Sequence, residues 1–236
     1  MYLHMQAVAA VIPARLDSQG IPRKPLAPLR GRPLIAWTIE AALESSEVST
    51  VYVSTESEEI ADVSNQLGAS VIVRPSVLST GTVPASAVIQ HAMESCEPHE
   101  FFAYLQPTSP LRTGGDIDEC LRKLKRSGAK AIASVSPLAF PAEWIVTINA
   151  QERIRFAGGR QIPRRRQEGG TYYVLNGAIF AARWSAIQAH GDVYRLDLEG
   201  YVMPPERGID IDTQDDLDRA EELLSSGCTD SAENLG

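Results

Sequence analysis

Short apolar runs alternate with longer amphipathic stretches through most of the chain. Short runs rich in Val, Ile or aromatic residues are typical of buried strands, and apolar positions that recur every three or four residues are typical of helices. The predicted strands are Ala7–Ile12, Thr50–Ser54, Ser70–Val73, Phe101–Leu105, Ala131–Val135, Ala178–Ala181 and Tyr201–Met203. The predicted helices are Pro33–Ser45, Ser57–Leu67, Val83–Ser95, Gly115–Ser127 and Thr213–Leu224.

The repeated order of strand, helix and strand predicts an α/β fold. Such a repeat builds a mostly parallel sheet with helices on both faces. Ser57 suits the start of a helix, and Gly128 suits the end of one. Ligands of these sheets bind outside the carboxyl ends of the strands, so we expect the loops after Ile12 and Leu105 to carry the site.

The regular pattern breaks between residues 136 and 171. Prolines and glycines interrupt short, weak strands there, and arginines cluster at Arg160, Arg164, Arg165 and Arg166. We expect this segment to leave the sheet, either as a lid or arm or as a hairpin that forms a dimer. The rest of residues 1–224 is expected to form a single domain, followed by a flexible tail over residues 225–236, which are small and polar.

Composition and charge limit the possible partners. Of the 236 residues, 44% are hydrophobic and 22% are charged, which is ordinary for a globular chain. Lys and Arg number 22 against 30 Asp and Glu, a formal net charge of -8. Nucleic acid and anionic membrane surfaces are therefore poor partners, and an anionic substrate must be met by a local basic site.

Targeting signals and cysteines add two expectations. No apolar run reaches the roughly 18 residues of a membrane span, and the first residues lack the pattern of a signal peptide. The cysteines, Cys96, Cys120 and Cys228, are odd in number and widely spaced, which gives neither a disulfide framework nor a metal site. A reducing, cytoplasmic compartment is the simplest expectation.

The loop after the first strand, residues 13–26, is the first candidate for chemistry. It contains two cations, Arg15 and Lys24, and the flexible residue Gly20. Exposed backbone N–H groups and fixed positive charge can cradle a triphosphate. The loop lacks the two commonest nucleotide-binding motifs, G-x-G-x-x-G and G-x-x-x-x-G-K-[ST]. A solvated connector is the alternative interpretation.

The second candidate is the segment Leu-Gln-Pro-Thr-Ser-Pro-Leu-Arg at residues 105–112. Gln106 lies at the carboxyl end of a predicted strand, where its amide can face a ligand. The alternative is a turn that caps the following helix. Arg112 can pair with Asp116 or Asp118 in either case.

The third candidate is the segment Ile-Asp-Ile-Asp at residues 209–212. On a strand, the spacing of Asp210 and Asp212 places both carboxylates on one face. Adjacent carboxylates repel, and oxygen ligands of this kind select Mg²⁺. The alternative is that Asp212 only caps the helix beginning at Thr213 and Asp210 is a surface charge. The two roles of Asp212 are compatible.

Together these segments, with Arg166–Gln167 and Asn176–Phe180, resemble the acylneuraminate cytidylyltransferase family over most of the chain. The resemblance implies a Rossmann-like α/β fold with a protruding dimerisation arm. It also implies transfer of CMP from CTP to an acidic sugar, with release of pyrophosphate.

The resemblance also assigns roles to individual residues. Arg15, Lys24, Asp210 and Asp212 are the implied catalytic residues, and the two aspartates are implied to bind Mg²⁺. The residues implied to contact CTP are Ala14, Arg15, Lys24, Arg74 and Gln106. Those implied to face the acceptor are Gln106, Arg166, Gln167 and Asn176.

The sequence departs from the family pattern mainly on the acceptor side. Pro25 stands where the family usually has Asn, Gly81 where the sialic group often has Asp, and Glu143 where some members have Lys. In the family, a partner subunit can supply an aromatic pair to the site, and the corresponding residues here are Val193–Tyr194. Pro25 is shared with the 3-deoxy-manno-octulosonate (KDO) enzymes. The acceptor is therefore left open between a sialic acid-like nonulosonate, KDO and a small phosphonate or carboxylate, and a non-catalytic nucleotide-binding protein is a further alternative.

Overall fold

The computed structural model describes residues 7–18, 20–156 and 171–226. The strands are β1 (Val8–Pro13), β2 (Pro28–Leu29), β3 (Arg32–Pro33), β4 (Thr50–Thr55), β5 (Ser70–Val73), β6 (Phe101–Tyr104), β7 (Ala131–Pro137), β8 (Val146–Ile148), β9 (Ile154–Phe156), β10 (Tyr173–Arg183) and β11 (Leu198–Val202). The α-helices are α1 (Leu34–Glu44), α2 (Glu58–Gln66), α3 (Ala85–Glu94), α4 (Gly114–Ser127), α5 (Trp184–His190) and α6 (Gln214–Ser225).

The main sheet has seven strands in the order β11-β7-β10-β6-β1-β4-β5. Its neighbours pair in parallel except at β10, which runs antiparallel to both β6 and β7. The mostly parallel sheet predicted from the sequence is therefore confirmed. The carboxyl ends of β1, β4, β5, β6, β7 and β11 meet along one edge of the sheet, as parallel strands require.

Alternate residues of the central strand β1 belong to separate apolar cores. Val8 and Ile12 pack with α1, α2 and α4, whereas Ala9 and Val11 pack with α3 and α5. Helices therefore cover both faces of the sheet, as predicted. Because water is excluded from both faces, these strands can be apolar at nearly every position.

A third apolar cluster lies under the loop after β1. It joins Ile21 and Leu111 to Ile211 and to Leu217 of α6. These residues come from distant parts of the sequence, so their burial brings the loop after β1 beside the segment that follows β11.

Most predicted elements are confirmed to within a few residues. The Ser57 hydroxyl accepts a hydrogen bond from Ile60 N at the start of α2, and Gly128 ends α4 in the left-handed conformation at φ 73°. The sequence analysis missed helix α5 and the full length of β10. A register shift between Leu175 and Phe180 interrupts the pattern of β10, so only its apolar end was predicted.

Part of the excursion predicted over residues 136–171 is described. Residues 138–156 contain the antiparallel hairpin β8–β9, which pairs with no strand of the main sheet. Residues 157–170, with the four arginines of the predicted cluster, lie outside the described residues, as do residues 227–236 of the predicted tail. The single-domain boundary and the arm's part in dimerisation stay predictions. Within the described chain, every helix is too short or too polar to cross a membrane.

Candidate active site

A cleft of about 410 Å³ opens at the carboxyl edge of the sheet. Its walls come from the loops after β1, β5 and β6 and from the irregular segment between β11 and α6. The predicted site residues that line it are Arg15, Lys24, Arg74, Gln106, Asp210 and Asp212. Both loops expected to carry the site, those after Ile12 and Leu105, contribute to this cleft.

The loop after β1 is fixed to the ends of the neighbouring strands. Ala14 is buried, and its N–H donates to Ser54 O of β4 at 2.9 Å. Leu16 N donates to Glu56 Oε1 at 2.8 Å. These bonds are not those of a solvated connector, so that alternative does not describe this loop.

Lys24 links this loop to the acids near the end of the chain. Its side chain is 9% exposed, and Nζ donates to Ile211 O and to Asp212 Oδ1, both at 2.8 Å. An ammonium group carries three protons, so one remains for a ligand in the cleft. Lys24 therefore places positive charge beside both a carboxylate and the open space of the cleft.

Gly20 allows the loop to approach the acids closely. Its φ is +90°, and a Cβ at this position would overlap the carbonyl oxygen of Asp212. A side chain is therefore excluded by space as well as by backbone conformation.

Asp210 and Asp212 lie in an irregular segment and not on a strand, so the strand spacing considered for them does not apply. The peptide between them is anchored instead: Ile211 N donates to Thr108 O at 2.7 Å, Ile211 O accepts from Lys24, and the Ile211 side chain is fully buried. Because Ile211 points inward, the acids on either side of it face the cleft. The predicted pairing of the two carboxylates at one site agrees with this geometry, for a different physical reason.

Asp212 is not the cap of the last helix. Thr213 caps α6: its hydroxyl accepts from Asp216 N at 3.3 Å, and Asp216 Oδ2 accepts from Thr213 N at 2.8 Å. This reciprocal pair satisfies the first turn of the helix. The Asp212 carboxylate is therefore available to the cleft.

The two acids repel each other. Removal from water raises the pKa of the Asp210 carboxyl above its usual value, and the charge of Asp212 raises it further. A hydrogen bond from Thr108 and the charge of Lys24 act in the opposite direction. Lys24 supplies one positive charge to the two carboxylates, and a divalent cation would balance the remaining negative charge.

The residues present fit Mg²⁺ together with a nucleotide. Among the described residues, no group of three or more His, Cys, Asp or Glu is placed to hold a metal ion by itself. Mg²⁺ is commonly bound by one or two carboxylates and by the phosphates of a substrate. Asp210 and Asp212, beside the cations of the loop after β1, supply that number of ligands.

Arg74 holds one wall of the cleft in place. Its side chain is 3% exposed, Nε donates to Ser79 Oγ at 3.0 Å, and Nη2 lies 3.2 Å from both Ala14 O and Glu56 Oε2. The guanidinium thus joins the ends of β4 and β5 to the loop after β1. Its predicted place near the cytosine or ribose stays a prediction.

Gln106 lies at the end of β6 with its amide against a glycine of β10. Its Oε1 accepts from Thr108 Oγ1 at 3.3 Å, and a Cβ on Gly177 would lie 3.3 Å from Nε2. The segment that begins at Gln106 is not the cap of the next helix, because Thr113 and Asp116 form the capping box of α4. The amide of Gln106 therefore faces the cleft.

Arg112 does not pair with Asp116 or Asp118. Its Nη1 donates to Ala178 O at 2.7 Å and to Gln106 O at 3.3 Å, and burial lowers its pKa to about 10. This cation holds two backbone carbonyls of the cleft wall in place.

The structure does not bring Asn176 into the cleft. The side chain is buried; Oδ1 accepts from Ser134 Oγ at 2.5 Å and Ala178 N at 3.1 Å, and Nδ2 donates to Ser136 Oγ at 3.0 Å. These bonds join β7 to the irregular part of β10. The amide expected to face the acceptor is thus engaged inside the protein. The other two predicted acceptor residues, Arg166 and Gln167, lie outside the described residues.

Three of the departures from the family pattern have clear positions. Pro25 and Gly81 both line the cleft. Glu143 lies at the base of the hairpin, where it accepts a hydrogen bond from the hydroxyl of Tyr172. Val193 is buried in this chain's own core, so it is not available to a partner's site.

The sequence analysis missed two polar contributors to the cleft. Thr108 acts to lower the pKa of Asp210, and Glu56 joins Arg74 to Leu16. Glu56 lies two residues after the predicted strand Thr50–Ser54, so its position at the carboxyl edge was a usable signal.

The fold is that of the nucleotide-diphospho-sugar transferases. A solved structure of CMP:2-keto-3-deoxy-manno-octonic acid synthetase complexed with CTP superposes with a TM-score of 0.72, at 19% identity, over 94% of this chain and 99% of that one. A 4-diphosphocytidyl-2C-methyl-D-erythritol synthase from Anaerococcus prevotii superposes with a TM-score of 0.67, at 14% identity, over 93% and 96%. At these identities the likeness concerns the fold alone.

The chain belongs to the cytidylyltransferase family, whose model matches residues 9–232. It is 32% identical to an Escherichia coli N-acylneuraminate cytidylyltransferase over 90% of this chain and 51% of that protein, and thus spans about half the length of that relative. It is 35% identical to a Legionella pneumophila CMP-N,N'-diacetyllegionaminic acid synthase over 92% of this chain and 96% of that protein. The resemblance predicted from the sequence motifs is confirmed.

Proposed function

We propose that this protein transfers CMP from CTP to an acidic sugar of the nonulosonate class and releases pyrophosphate. The observation that carries the proposal is the position of Lys24, whose Nζ binds both Ile211 O and Asp212 Oδ1 at the wall of one cleft. The ammonium that we propose to bind phosphate therefore lies beside the two acids proposed to hold Mg²⁺. Relatives named as cytidylyltransferases and CMP-sugar synthases support the choice of reaction.

The triphosphate is proposed to lie against the loop after β1. Arg15 lines the cleft and forms no ion pair with any described residue, and Lys24 has a proton to spare. A chain of net charge -8 repels a triphosphate at long range, so local cations must supply the attraction. Arg15 and Lys24 are the cations placed to do so.

Asp210 and Asp212 are the residues that would hold Mg²⁺. The ion, when bound, neutralises charge on the phosphate oxygens and favours departure of pyrophosphate. Asp212 also orients Lys24, so the acids and the cation would contact neighbouring parts of the same triphosphate. The dependence on Mg²⁺ is part of this proposal.

The reaction is proposed as an in-line displacement. A hydroxyl oxygen of the acceptor forms a bond to the α-phosphorus of CTP while the bond from that phosphorus to the bridging oxygen breaks, and the hydroxyl proton is released. Negative charge accumulates on the phosphate oxygens, so the fixed cations of the cleft stabilise the transition state. Gln106 is proposed to orient the acceptor, and Arg166 and Gln167 remain predicted acceptor contacts.

The nonulosonate class is favoured by the relatives of similar length. The chain covers 96% of the Legionella pneumophila synthase named for legionaminic acid and 94% of a Campylobacter jejuni pseudaminic acid cytidylyltransferase. KDO and small phosphonates or carboxylates stay as alternative acceptors for the same CTP chemistry.

A homodimer is also part of the proposal. The hairpin and the start of β10 expose large apolar side chains, among them Phe140, Trp144, Ile148, Ile154 and Leu175. Several large exposed apolar side chains in one part of the chain support an interface there. Sedimentation should show Ile148→Asp shifting the protein toward monomer, and the control Val73→Asp, at an exposed apolar residue of the edge strand β5, should not. A cytoplasmic location is proposed too, and the free thiols of Cys96 and Cys120 are compatible with it.

An acceptor panel tests the proposed function. Pyrophosphate release is measured with CTP, UTP, ATP or GTP against sialic, legionaminic and pseudaminic acids, KDO and a small phosphonate, with and without Mg²⁺. We expect release only with CTP, Mg²⁺ and a nonulosonate. CTP binding without release for any acceptor would contradict the proposal and favour a non-catalytic nucleotide-binding protein.

A further inference from the structure

The acids of the cleft lie on a segment that has no regular secondary structure. Residues 203–213 connect β11 to α6 without belonging to either. No sheet or helix fixes this stretch, so its shape depends on individual contacts. Besides Lys24 and Thr108, its main polar contact is an ion pair between Arg207 and Asp116 of α4.

We propose that Arg207 is a positioning residue that holds Asp210 and Asp212 in place through Asp116. The inference rests on the function proposed for the cleft. Arg207 lies three residues before Asp210 and does not line the cleft itself.

The ion pair is well placed to fix the backbone. Arg207 Nε lies 2.9 Å from Asp116 Oδ2, and Nη2 donates to Oδ1 at 3.0 Å. The side chains of Asp116 and Arg207 are 1% and 13% exposed. The guanidinium thus contacts both carboxylate oxygens, with hydrogen-bond geometry at Nη2 and an electrostatic contact at Nε, and burial reduces screening by salt.

Asp116 also belongs to the helix cap behind the other wall of the cleft. Its Oδ2 accepts from Thr113 N at 3.0 Å, and Thr113 ends the loop that carries Thr108. The carbonyl of Thr108 in turn accepts from Ile211 N. Asp116, Arg207, Ile211 and Thr108 therefore form a closed ring of contacts that joins the two loops.

The residue after Arg207 shows how closely the segment is fitted. A Cβ on Gly208 would overlap Ser136 Oγ and lie 2.7 Å from Asn176 Nδ2. The backbone of Gly208 thus rests on the buried amide of Asn176. The ion pair and this close contact together restrict the backbone conformation between Arg207 and Asp210.

Hydrogen exchange in the nucleotide-free and metal-free protein tests the proposal directly. In Arg207→Met we expect the amide of Ile211 to exchange at least roughly tenfold faster, while the amide of Val11 in the central strand is unchanged. Arg207→Lys should give an intermediate rate, because it keeps the charge and loses the two-point contact. Glu206→Gln, at an exposed neighbour in the same turn, is the matched control and should change nothing.

Activity supplies the second measurement. The Mg²⁺ concentration for half-maximal pyrophosphate release should rise on the order of tenfold in Arg207→Met and remain normal in Glu206→Gln. If Arg207→Met does not fold, Asp116→Asn replaces it, since an amide oxygen still accepts the bonds that cap α4.

Two results would overturn the positioning role. One is unchanged exchange at Ile211, and the other is equal acceleration at Val11, which would mean general loss of stability. A further outcome is that Arg207→Met accelerates exchange at Ile211 while the wild type releases no pyrophosphate. That result would support the positioning role and contradict the proposed function, so the two failures are distinguishable.

Discussion

Two carboxylate sites at opposite edges of the sheet differ in how many hydrogen-bond donors surround them. At the amino edge, Asp118 of α4 accepts hydrogen bonds from the hydroxyls of Ser45 and Ser46 and from the N–H of Glu47. At the carboxyl edge, Asp210 and Asp212 share few donors, and each adds to the charge near the other. The pKa of Asp118 is lowered and that of Asp210 is raised.

The difference separates an acid that stabilises the fold from an acid that is available to a ligand. Burial acts to raise the pKa of both groups, but the donors around Asp118 outweigh it. At Asp210 the interactions with Thr108 and Lys24 do not outweigh it, so the pKa of this carboxyl stays raised. The supply of hydrogen-bond donors, and not burial alone, therefore distinguishes the candidate functional site.

Asp212→Asn should give the largest effect on turnover. Loss of one carboxylate should reduce Mg²⁺-dependent pyrophosphate release on the order of 100-fold, while the melting temperature changes little. The control is Asp215→Asn, an exposed acid in the first turn of α6 that does not line the cleft. Near-normal turnover in Asp212→Asn would show that Asp212 does not bind the metal ion. The contrast between the two carboxylate sites would then not separate a functional acid from a structural one.

Lys24→Met should come next. The change keeps the buried stem and removes the charge, so kcat/KM for CTP should fall about 100-fold. Stability should fall less, because the Met side chain keeps the apolar packing of the lysine stem. Lys130→Met, at an exposed lysine, serves as the control. A variant that mainly unfolds would show that Lys24 is structural.

Asp118→Asn should act on stability and not on turnover. We expect a loss of about 1–3 kcal/mol at pH 7, because hydrogen bonds to a charged acceptor are lost. The folded pKa lies below the usual 3.8, so the carboxylate stabilises the fold above that value and this contribution is lost as the pH falls through the folded pKa.

Denaturant unfolding across pH checks that sign. The difference between wild type and Asp118→Asn should be full at pH 7 and should shrink below about pH 4. Asp62→Asn, at an exposed acid of α2, should show no such difference. A gap that stays constant down to low pH would mean that the charge of Asp118 is not what stabilises the amino edge.

Glu56→Gln should give the smallest effect. The amide keeps an oxygen for Leu16 N and loses the charge that pairs with Arg74, so the loop after β1 should loosen slightly. KM for CTP should rise roughly threefold to tenfold with kcat nearly unchanged. Glu59→Gln breaks an exposed ion pair with Arg23 and is the matched control. A fall in kcat with unchanged KM would contradict a role in shaping the nucleotide wall.

Local patterns were enough to predict the sheet and most of its helices. The strands are short, apolar and regularly spaced, and the apolar pattern of each element can be recognised from consecutive residues. Antiparallel insertion of β10 between β6 and β7 depends on pairing between distant segments, which periodicity does not contain. Helix α5 was missed because its seven residues span only two turns.

In the candidate site too, local sequence predicted the positions of residues but not the contacts between distant segments. Arg15, Lys24 and Gln106 follow predicted strands, so their meeting at one edge was predictable. The partners of Arg112 and Lys24 were not predictable. Arg112 binds a carbonyl 66 residues away, and Lys24 binds a carboxylate 188 residues away. Asn176 was misplaced because its amide is used to hold an irregular strand, and a family motif does not reveal which way a side chain turns.

Binding of CTP with and without Mg²⁺ tests the central claim most directly. Calorimetry on the wild type should show that Mg²⁺ tightens CTP binding, and that this gain is lost in Asp210→Asn and in Asp212→Asn while the metal-free affinity is kept or improved. An undiminished gain in both variants would contradict the account, because the two acids would then have no part in holding the ion with the nucleotide.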